Sequence, residues 1–188
     1  MRLLLAFVIC LVPFTVNAQS PSRTVFVVRH AEKADNSRDP QLSERGQERA
    51  QALAAALEHT GVDAVFVTQF VRTGATAAPS AMAAGVQPVV LAATGPVPGH
   101  AAEIADAVRA RPAGEVILVV GHSNTVPAIV AALGGPEMQD ICDAEYSNLF
   151  VLVVPNEGPT STAHVRFGQP DEGSCPPESP APRMPPAR

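Results

Sequence analysis

Residues 24–30 of the chain read Thr-Val-Phe-Val-Val-Arg-His. The apolar, mostly β-branched run at 24–28 is typical of a strand buried on both faces, because it lacks the alternation of a half-exposed strand. A second run, at 116–122, reads Val-Ile-Leu-Val-Val-Gly-His. Both apolar runs lead directly into a histidine. Two such strands predict the centre of a mostly parallel sheet that is covered by helices on both sides.

Helical and strand patterns alternate along the rest of the folded segment. We expect helices at 43–60, at 72–84 with a bend near Pro79, around the apolar face at 101–108, and at 125–133. We expect further strands at 62–68, at 86–91 near a sheet edge because of Pro88, and at 149–154 and 162–167 as a hairpin. The sequence therefore predicts an α/β fold, a single-domain three-layer α/β/α sandwich with a mostly parallel central sheet.

The two ends of the chain differ from this folded segment. Residues 1–18 combine Arg2, an apolar run and a small residue at the end, which predicts a secretory signal peptide; an uncleaved anchor helix is the alternative. Residues 169–188 contain seven prolines, which favours a disordered tail. Between them we expect an N-terminal extension at 19–23 and a domain at 24–168. The mature protein is then exported, periplasmic or extracellular, and free of the membrane.

Composition limits the classes of protein to consider. The 188 residues fit one domain, and a hydrophobic content of 46% excludes a wholly disordered chain. A net charge of −5, no Trp and one Tyr argue against a nucleic-acid binder. After loss of the leader Cys142 and Cys175 remain, and export allows a disulfide between them; two unpaired thiols are the alternative. The sequence does not determine the oligomeric state.

Two histidines and two arginines follow the predicted strands. Arg29 and His30 end the first strand, His122 comes directly after the run at 116–120, and Arg72 opens a predicted helix. Because the carboxyl ends of parallel strands meet at one edge of a sheet, we expect these side chains to share a pocket. Helix N-termini and guanidinium groups favour phosphate oxygens, and imidazole acts as a nucleophile or acid–base group near neutral pH. These residues indicate a small phosphate-like substrate and histidine chemistry.

Four motifs stand in order along the chain. They are Arg29-His30-Ala31-Glu32-Lys33; Leu42-Ser43 with Gly46, Arg49, Ala50 and Leu53; Arg72-Thr73 with Thr76 and Ala77; and Gly121-His122-Ser123-Asn124. Together they resemble the histidine phosphatase superfamily, branch 1, the phosphoglycerate-mutase-like group. The resemblance covers nearly the whole folded segment, and the order of the motifs makes it more specific than any one of them.

The resemblance implies a role for each pocket residue. His30 would be the nucleophile that takes a phosphoryl group and passes it to water, while Arg29, Arg72 and His122 would hold the phosphate oxygens. Asn36, six positions after the nucleophile, would help to bind phosphate. The resemblance implies no metal and no other cofactor, because the arginines would supply the charge that Mg²⁺ supplies in other phosphoryl-transfer enzymes.

The chain departs from the family pattern at three positions. Ala31 stands where Gly is commoner, and Thr68 stands where Ser is usual and keeps the hydroxyl. Ser123, a candidate substrate-binding residue, occupies the place after the second histidine where some members carry the Asp that protonates the leaving group. No carboxylate between 78 and 121 matches the Glu that other members use. Glu32 is a candidate replacement at the substrate, and the general acid is otherwise unassigned, which would favour good leaving groups.

The resemblance leaves three functions in competition. The first is an exported, metal-independent phosphatase that hydrolyses a phosphomonoester or related phosphate through a phosphohistidine. The second is a phosphomutase, and the third is a non-catalytic phosphate-binding protein of the same fold. The other histidines, His59, His100 and His164, are interpreted as surface or structural residues, although the Gly- and Pro-containing loop before His100 could border the pocket.

Overall fold

The structure, a computed structural model, describes residues 20–175; the predicted leader at 1–18 and residues 176–188 of the tail lie outside the described residues. Within that range the strands are β1 (Ser22–Arg29), β2 (Val62–Val67), β3 (Val89–Val90), β4 (Val116–Gly121), β5 (Asn148–Pro155) and β6 (Ser161–Arg166). The helices are α1 (Glu44–Leu57), α2 (Val71–Ala84), α3 (Val97–Arg109) and α4 (Thr125–Ala132). None of these helices is long and apolar enough to cross a membrane.

The strands form one sheet in the order β3-β2-β4-β1-β5-β6. The first four strands of that order run parallel, and β5 runs antiparallel to both β1 and β6, so the predicted hairpin is confirmed. Arg29 of β1 lies opposite Gly121 of β4. The backbone N–H of His30 donates to the Gly121 carbonyl at 2.9 Å. This register brings His30 and His122 to the same edge, at the middle of the sheet.

Helices cover both faces of the sheet, as the apolar strands require. Successive side chains of β1 point to opposite faces. Val25 and Val27 pack in a core with α3 and α4, whereas Phe26 and Val28 pack in a second core with α1 and α2. The predicted single-domain three-layer α/β/α sandwich with a mostly parallel sheet is therefore confirmed.

Several element boundaries differ from the sequence prediction. β3 is shorter than the run at 86–91, because Pro88 has no N–H to donate to a neighbouring strand, while its edge position is confirmed. α3 begins before its apolar face, with Pro98 in its first turn, where proline costs no hydrogen bond. β1 starts at Ser22, so residues 22 and 23 of the predicted extension belong to the sheet.

The domain extends past the predicted boundary at 168. Asp171 accepts hydrogen bonds from the backbone N–H of Ser147 at 2.9 Å and from its hydroxyl at 2.6 Å. Cys175 forms a disulfide with Cys142, with their Cα atoms 5.9 Å apart, so the prediction of a bridge is confirmed. Residues 169–175 were predicted to belong to the tail because of their proline content. Proline content indicates a backbone preference but carries no information on side-chain contacts such as these. The folded unit therefore extends at least to Cys175.

Gly46, in the first turn of α1, lies against the backbone of the first site motif. A Cβ at this position would overlap the carbonyl oxygen of Glu32, and a backbone atom cannot turn aside as a flexible side chain can. We expect Gly46→Ala to lower the free energy of unfolding by about 1–3 kcal/mol, as overpacking does.

Urea unfolding measures this effect, and Gly74→Ala is the matched control. Gly74 lies within α2 with no atom near an added Cβ, so alanine there should keep or raise stability, because alanine is the better helix former. A Gly46→Ala protein as stable as the Gly74→Ala protein would contradict the proposed close approach.

Candidate active site

A cavity of about 510 Å³ opens where β1, β2 and β4 end. Arg29, His30, Arg72 and His122 all line it, so the structure brings together the four residues that the strand ends predicted. Each follows the carboxyl end of a parallel strand or opens the helix after it, which is where ligands of open α/β sheets bind. In the described part of the chain, no group of three or more His, Cys, Asp or Glu could hold a metal ion.

His30 is held in one orientation by its neighbour. Its Nδ1 lies 2.8 Å from the carbonyl oxygen of Ala31, and a carbonyl only accepts, so Nδ1 carries the proton. The other ring nitrogen, Nε2, then keeps a free lone pair. The ring is 4% exposed, and its centroid lies 5.4 Å from that of His122. A neutral imidazole with this tautomer can attack an electrophile through Nε2.

The protonation state of His30 follows from its surroundings. Its pKa is lowered to about 3, mainly by burial; the hydrogen bond to the Ala31 carbonyl raises the pKa, and the neighbouring Arg29, His122 and Arg72 lower it. His30 is therefore neutral throughout the physiological pH range.

Arg29 is fixed by a loop that comes late in the chain. Its Nη1 donates to the carbonyl oxygens of Cys142 at 2.9 Å and Glu145 at 3.0 Å. Its guanidinium stacks over the ring of Tyr146, 4.1 Å from the centroid, and its Nη2 lies 3.3 Å from Oδ1 of Asp143. These contacts leave the guanidinium little freedom, so it is preorganised for an anion in the cavity.

Arg72 and His122 form a second pair beside His30. Nη2 of Arg72 lies 3.4 Å from Nδ1 of His122, and because a guanidinium only donates, Nδ1 is the acceptor. The opposite nitrogen, Nε2, then carries the proton and donates to Oγ1 of Thr68 at 3.0 Å. Burial, together with the charge of Arg72, lowers the pKa of His122 to about 4. The guanidinium of Arg72 stacks over Phe70 at 4.2 Å.

Several donors at the cavity have no acceptor. Within residues 20–175, Nε of Arg29 and Nε of Arg72 are buried without a hydrogen-bond partner, and Nη1 of Arg72 has only an ion-pair contact with Oδ1 of Asp39 at 3.5 Å. A buried polar group left without a partner costs about 1–3 kcal/mol. A tetrahedral oxyanion has several oxygens that could accept from such donors. The arrangement can therefore hold a phosphate group next to the free Nε2 of His30.

The three predicted substrate-binding residues are placed differently. Ser123 lines the cavity. Asn36 lies on an exposed loop whose neighbours Ser37 and Arg38 line the cavity while Asn36 does not, so its role stays a prediction.

Glu32 does not line the cavity, and its role at the substrate stays a prediction that its contacts do not favour. Its Oε1 accepts from Nη2 of Arg49 at 2.7 Å and from Nε of Arg45 at 3.2 Å, and its Oε2 accepts from Nε of Arg49 at 2.9 Å. Both carboxylate oxygens are thus taken up by a structural ion pair. Sequence spacing placed Glu32 near His30 correctly but could not tell which side its carboxylate faces.

Two features of the site were not identified from the sequence. The backbone carbonyl groups that hold Arg29 cannot be recognised from the sequence, because every residue type has a backbone carbonyl. His100, interpreted as structural, is buried and lines the cavity. The signal for it was present in the Gly- and Pro-containing loop that precedes α3.

The fold and the cavity define a class of protein: an α/β sandwich that presents two histidines and two arginines to an oxyanion. Residues 25–93 match the model of the histidine phosphatase superfamily (branch 1). Over residues 25–93 the chain therefore resembles this superfamily, and the solved structures described next share its fold. The matched range ends before His122, and the contacts of His122 with Arg72 and His30 link it to the matched part.

Solved structures with the same fold include several proteins of this kind. The protein histidine phosphatase SixA complexed with tungstate has a TM-score of 0.60 at 18% identity, over 76% of this chain and 96% of that chain. YhfR of Bacillus stearothermophilus has a TM-score of 0.59 at 18% identity, over 75% and 95%. A mycobacterial glucosyl-3-phosphoglycerate phosphatase has 0.58 at 16% identity, over 70% and 90%. No curated protein matches the sequence.

Proposed function

We propose that the protein is a metal-independent phosphatase that hydrolyses a phosphomonoester or related phosphate through a phosphohistidine on His30. The observation that carries the proposal is a neutral imidazole with a free Nε2 in the same cavity as Arg29, Arg72 and His122. The names of similar structures, a protein histidine phosphatase and a glucosyl-3-phosphoglycerate phosphatase, support phosphatase chemistry. Complexes of such proteins with tungstate and with VO3 support an oxyanion site.

The first half of the proposed reaction moves the phosphoryl group to the protein. Nε2 of His30 attacks phosphorus, the bond from phosphorus to the leaving oxygen breaks, and that oxygen takes a proton. Arg29 and Arg72 hold the non-bridging oxygens, so charge that shifts during transfer meets fixed positive groups. The carbonyl of Ala31 keeps its hydrogen bond from Nδ1 and stabilises the ring as it becomes positively charged.

The second half returns His30 to its starting state. A water molecule attacks phosphorus, the phosphorus–nitrogen bond breaks, and inorganic phosphate leaves with the hydroxyl derived from water. The lowered pKa of His30 helps here, because a ring that is a weak base is a good leaving group. A phosphomutase would instead return the group to a second position of a bound substrate.

Turnover of an aryl phosphate tests the proposal. We expect the purified protein to hydrolyse p-nitrophenyl phosphate at the same rate with and without EDTA, and tungstate to inhibit it. Binding of tungstate without turnover of any phosphoester, including a phosphohistidine peptide, would contradict the proposal and favour a non-catalytic phosphate-binding protein. Turnover that EDTA abolishes would contradict its metal-independent form.

We also propose that the protein is exported and processed after Ala18. The pattern of residues 1–18 supports this, and a disulfide between Cys142 and Cys175 is chemistry of oxidising compartments. N-terminal sequencing of protein expressed from the full gene should begin at Gln19, and an intact Met1 would contradict export by this route.

A further inference from the structure

His100 is a buried histidine in the wall of the cavity with nothing to bond to. It lies in the first turn of α3 and is 3% exposed, about as buried as His30. Within residues 20–175, neither Nδ1 nor Nε2 of His100 has a hydrogen-bond partner. Buried polar groups almost always have partners, so an orphaned imidazole at a ligand cavity needs an explanation. A substrate atom that bonds to this ring provides one.

His100 lies close enough to the reacting group to affect its neighbours. Positive charge on His100 is one of the causes that lower the pKa of His122, next after burial and Arg72. The loop before α3 contributes Gly95 and Val97 to the same cavity wall. His100 therefore faces the space beside the phosphate-binding groups, where the rest of a bound substrate would lie.

The proposed reaction lacks a proton donor for the leaving oxygen. Glu32 is committed to Arg49 and Arg45. Among the residues that line the cavity, Asp143 alone carries a carboxylate; its side chain is 98% exposed and lies 3.3 Å from Arg29. Arg29 and water thus compete for Asp143, whereas both ring nitrogens of His100 are buried and without a partner among residues 20–175.

We propose that His100 is the proton donor to the leaving group, an inference that rests on the proposed function. In the first half-reaction the protonated ring gives its proton to the oxygen as the phosphorus–oxygen bond breaks, which yields a neutral alcohol. In the second half the neutral ring takes a proton from the attacking water as the phosphorus–nitrogen bond breaks. His100 ends the cycle protonated, as it began, and water supplies the proton that the alcohol removed.

The charges around His100 suit a proton that arrives with the substrate. Burial lowers the pKa of His100 in the free protein, and the charge of Glu103, one turn along α3, raises it. His122 lines the same cavity, and with a pKa of about 4 it is neutral near pH 7 and does not oppose a proton on His100. A phosphate dianion bound between these groups adds negative charge and favours the protonated ring. A substrate that binds as the monoanion would bring the proton with it.

Leaving-group dependence separates a proton donor from a structural residue. kcat/KM is measured for wild type and for His100→Asn with p-nitrophenyl phosphate, whose phenolate leaves without help, and with an alkyl phosphate, whose alkoxide needs a proton. We expect the substitution to reduce kcat/KM for the alkyl phosphate by about 10²–10⁴-fold and to leave the aryl phosphate nearly unchanged. Each variant is compared with itself, so a reduced folded fraction cancels from the ratio of the two rates.

Three further variants complete the experiment. His164→Asn removes a half-buried histidine of β6 whose Nε2 bonds to Asn148, and it should leave both rates unchanged. His100→Gln repeats the test with a longer side chain. Equal losses for the two substrates, or no loss, would overturn the role of His100 alone, as would a selective loss in Asp143→Asn. Absence of turnover by wild type on both substrates would overturn the proposed function and this inference together.

Discussion

Replacing His30 by Asn is expected to abolish phosphatase turnover, with kcat reduced by a factor on the order of 10⁴ or more, as when other enzymes lose their nucleophile. The reason is specific to one atom. Nε2 of His30 is the imidazole nitrogen whose lone pair is free in a neutral ring held by the Ala31 carbonyl. An asparagine amide can still donate to that carbonyl but has no nucleophilic nitrogen. Steady-state hydrolysis of p-nitrophenyl phosphate measures the loss.

A second measurement makes this result diagnostic of covalent catalysis. Rapid acid-free quenching of wild type with a ³²P-labelled substrate should trap label on the protein in a linkage that acid removes and base does not, as expected of phosphohistidine. His30→Asn should trap none. His59→Asn is the matched control, because that side chain is 92% exposed and outside the cavity. Label retained by His30→Asn, or full turnover by it, would place the nucleophile elsewhere.

The parts of the fold that determine the position of this nucleophile are those that the sequence predicts well. A strand buried on both faces must be apolar throughout, so β1 and β4 are recognisable without their neighbours. Parallel pairing then requires their carboxyl ends to lie at one edge, and Arg29 and His122 follow from that rule. The bounds of β3 were less well predicted, because an exposed edge strand does not need apolar residues on both faces. Pro88 also removes a hydrogen-bond donor just before this strand.

The contacts that hold the site residues in place could not be predicted from the sequence, and the reason is physical. Arg29 is fixed by carbonyl groups of residues more than 110 positions later, and carbonyls are common to every residue type. The orientation of Glu32 depends on its ion pair with Arg49 of α1. The sequence alone does not show whether the side chain of Arg49 is buried in such a pair or exposed to solvent. Spacing along a chain gives proximity to the site, whereas the direction of a side chain depends on packing.

Net charge was informative only about the class of partner. The chain carries −5 overall, but the lining of the cavity includes Arg29, Lys33, Arg38 and Arg72 against the single carboxylate of Asp143. Two of these cations are held in place, Arg29 by carbonyls and Arg72 by His122 and Phe70. The electrostatic potential in a cavity depends on the charged groups that line it more than on the net charge of the whole protein. An acidic protein can therefore bind an anion.

Loss of the Cys142–Cys175 disulfide is expected to reduce both stability and activity. The bridge closes a segment with a sequence separation of 33, for which loop-closure entropy predicts a stabilisation of about 3–4 kcal/mol. Its effect on activity follows from Cys142, whose carbonyl accepts the 2.9 Å hydrogen bond from Arg29. A loop released from the bridge would hold that guanidinium less firmly, so we expect KM for an aryl phosphate to rise more than kcat falls.

The test compares wild type with the double variant Cys142→Ser, Cys175→Ser, each with and without dithiothreitol, at a temperature where both are folded by circular dichroism. Reductant should bring wild type to the lower urea midpoint and higher KM of the variant, and should leave the variant unchanged. The contrast matters because Asp171 also ties this segment to the loop, through the backbone and hydroxyl of Ser147. A variant with the wild-type KM would mean that Asp171 alone suffices to place Arg29, and the disulfide would then serve stability only.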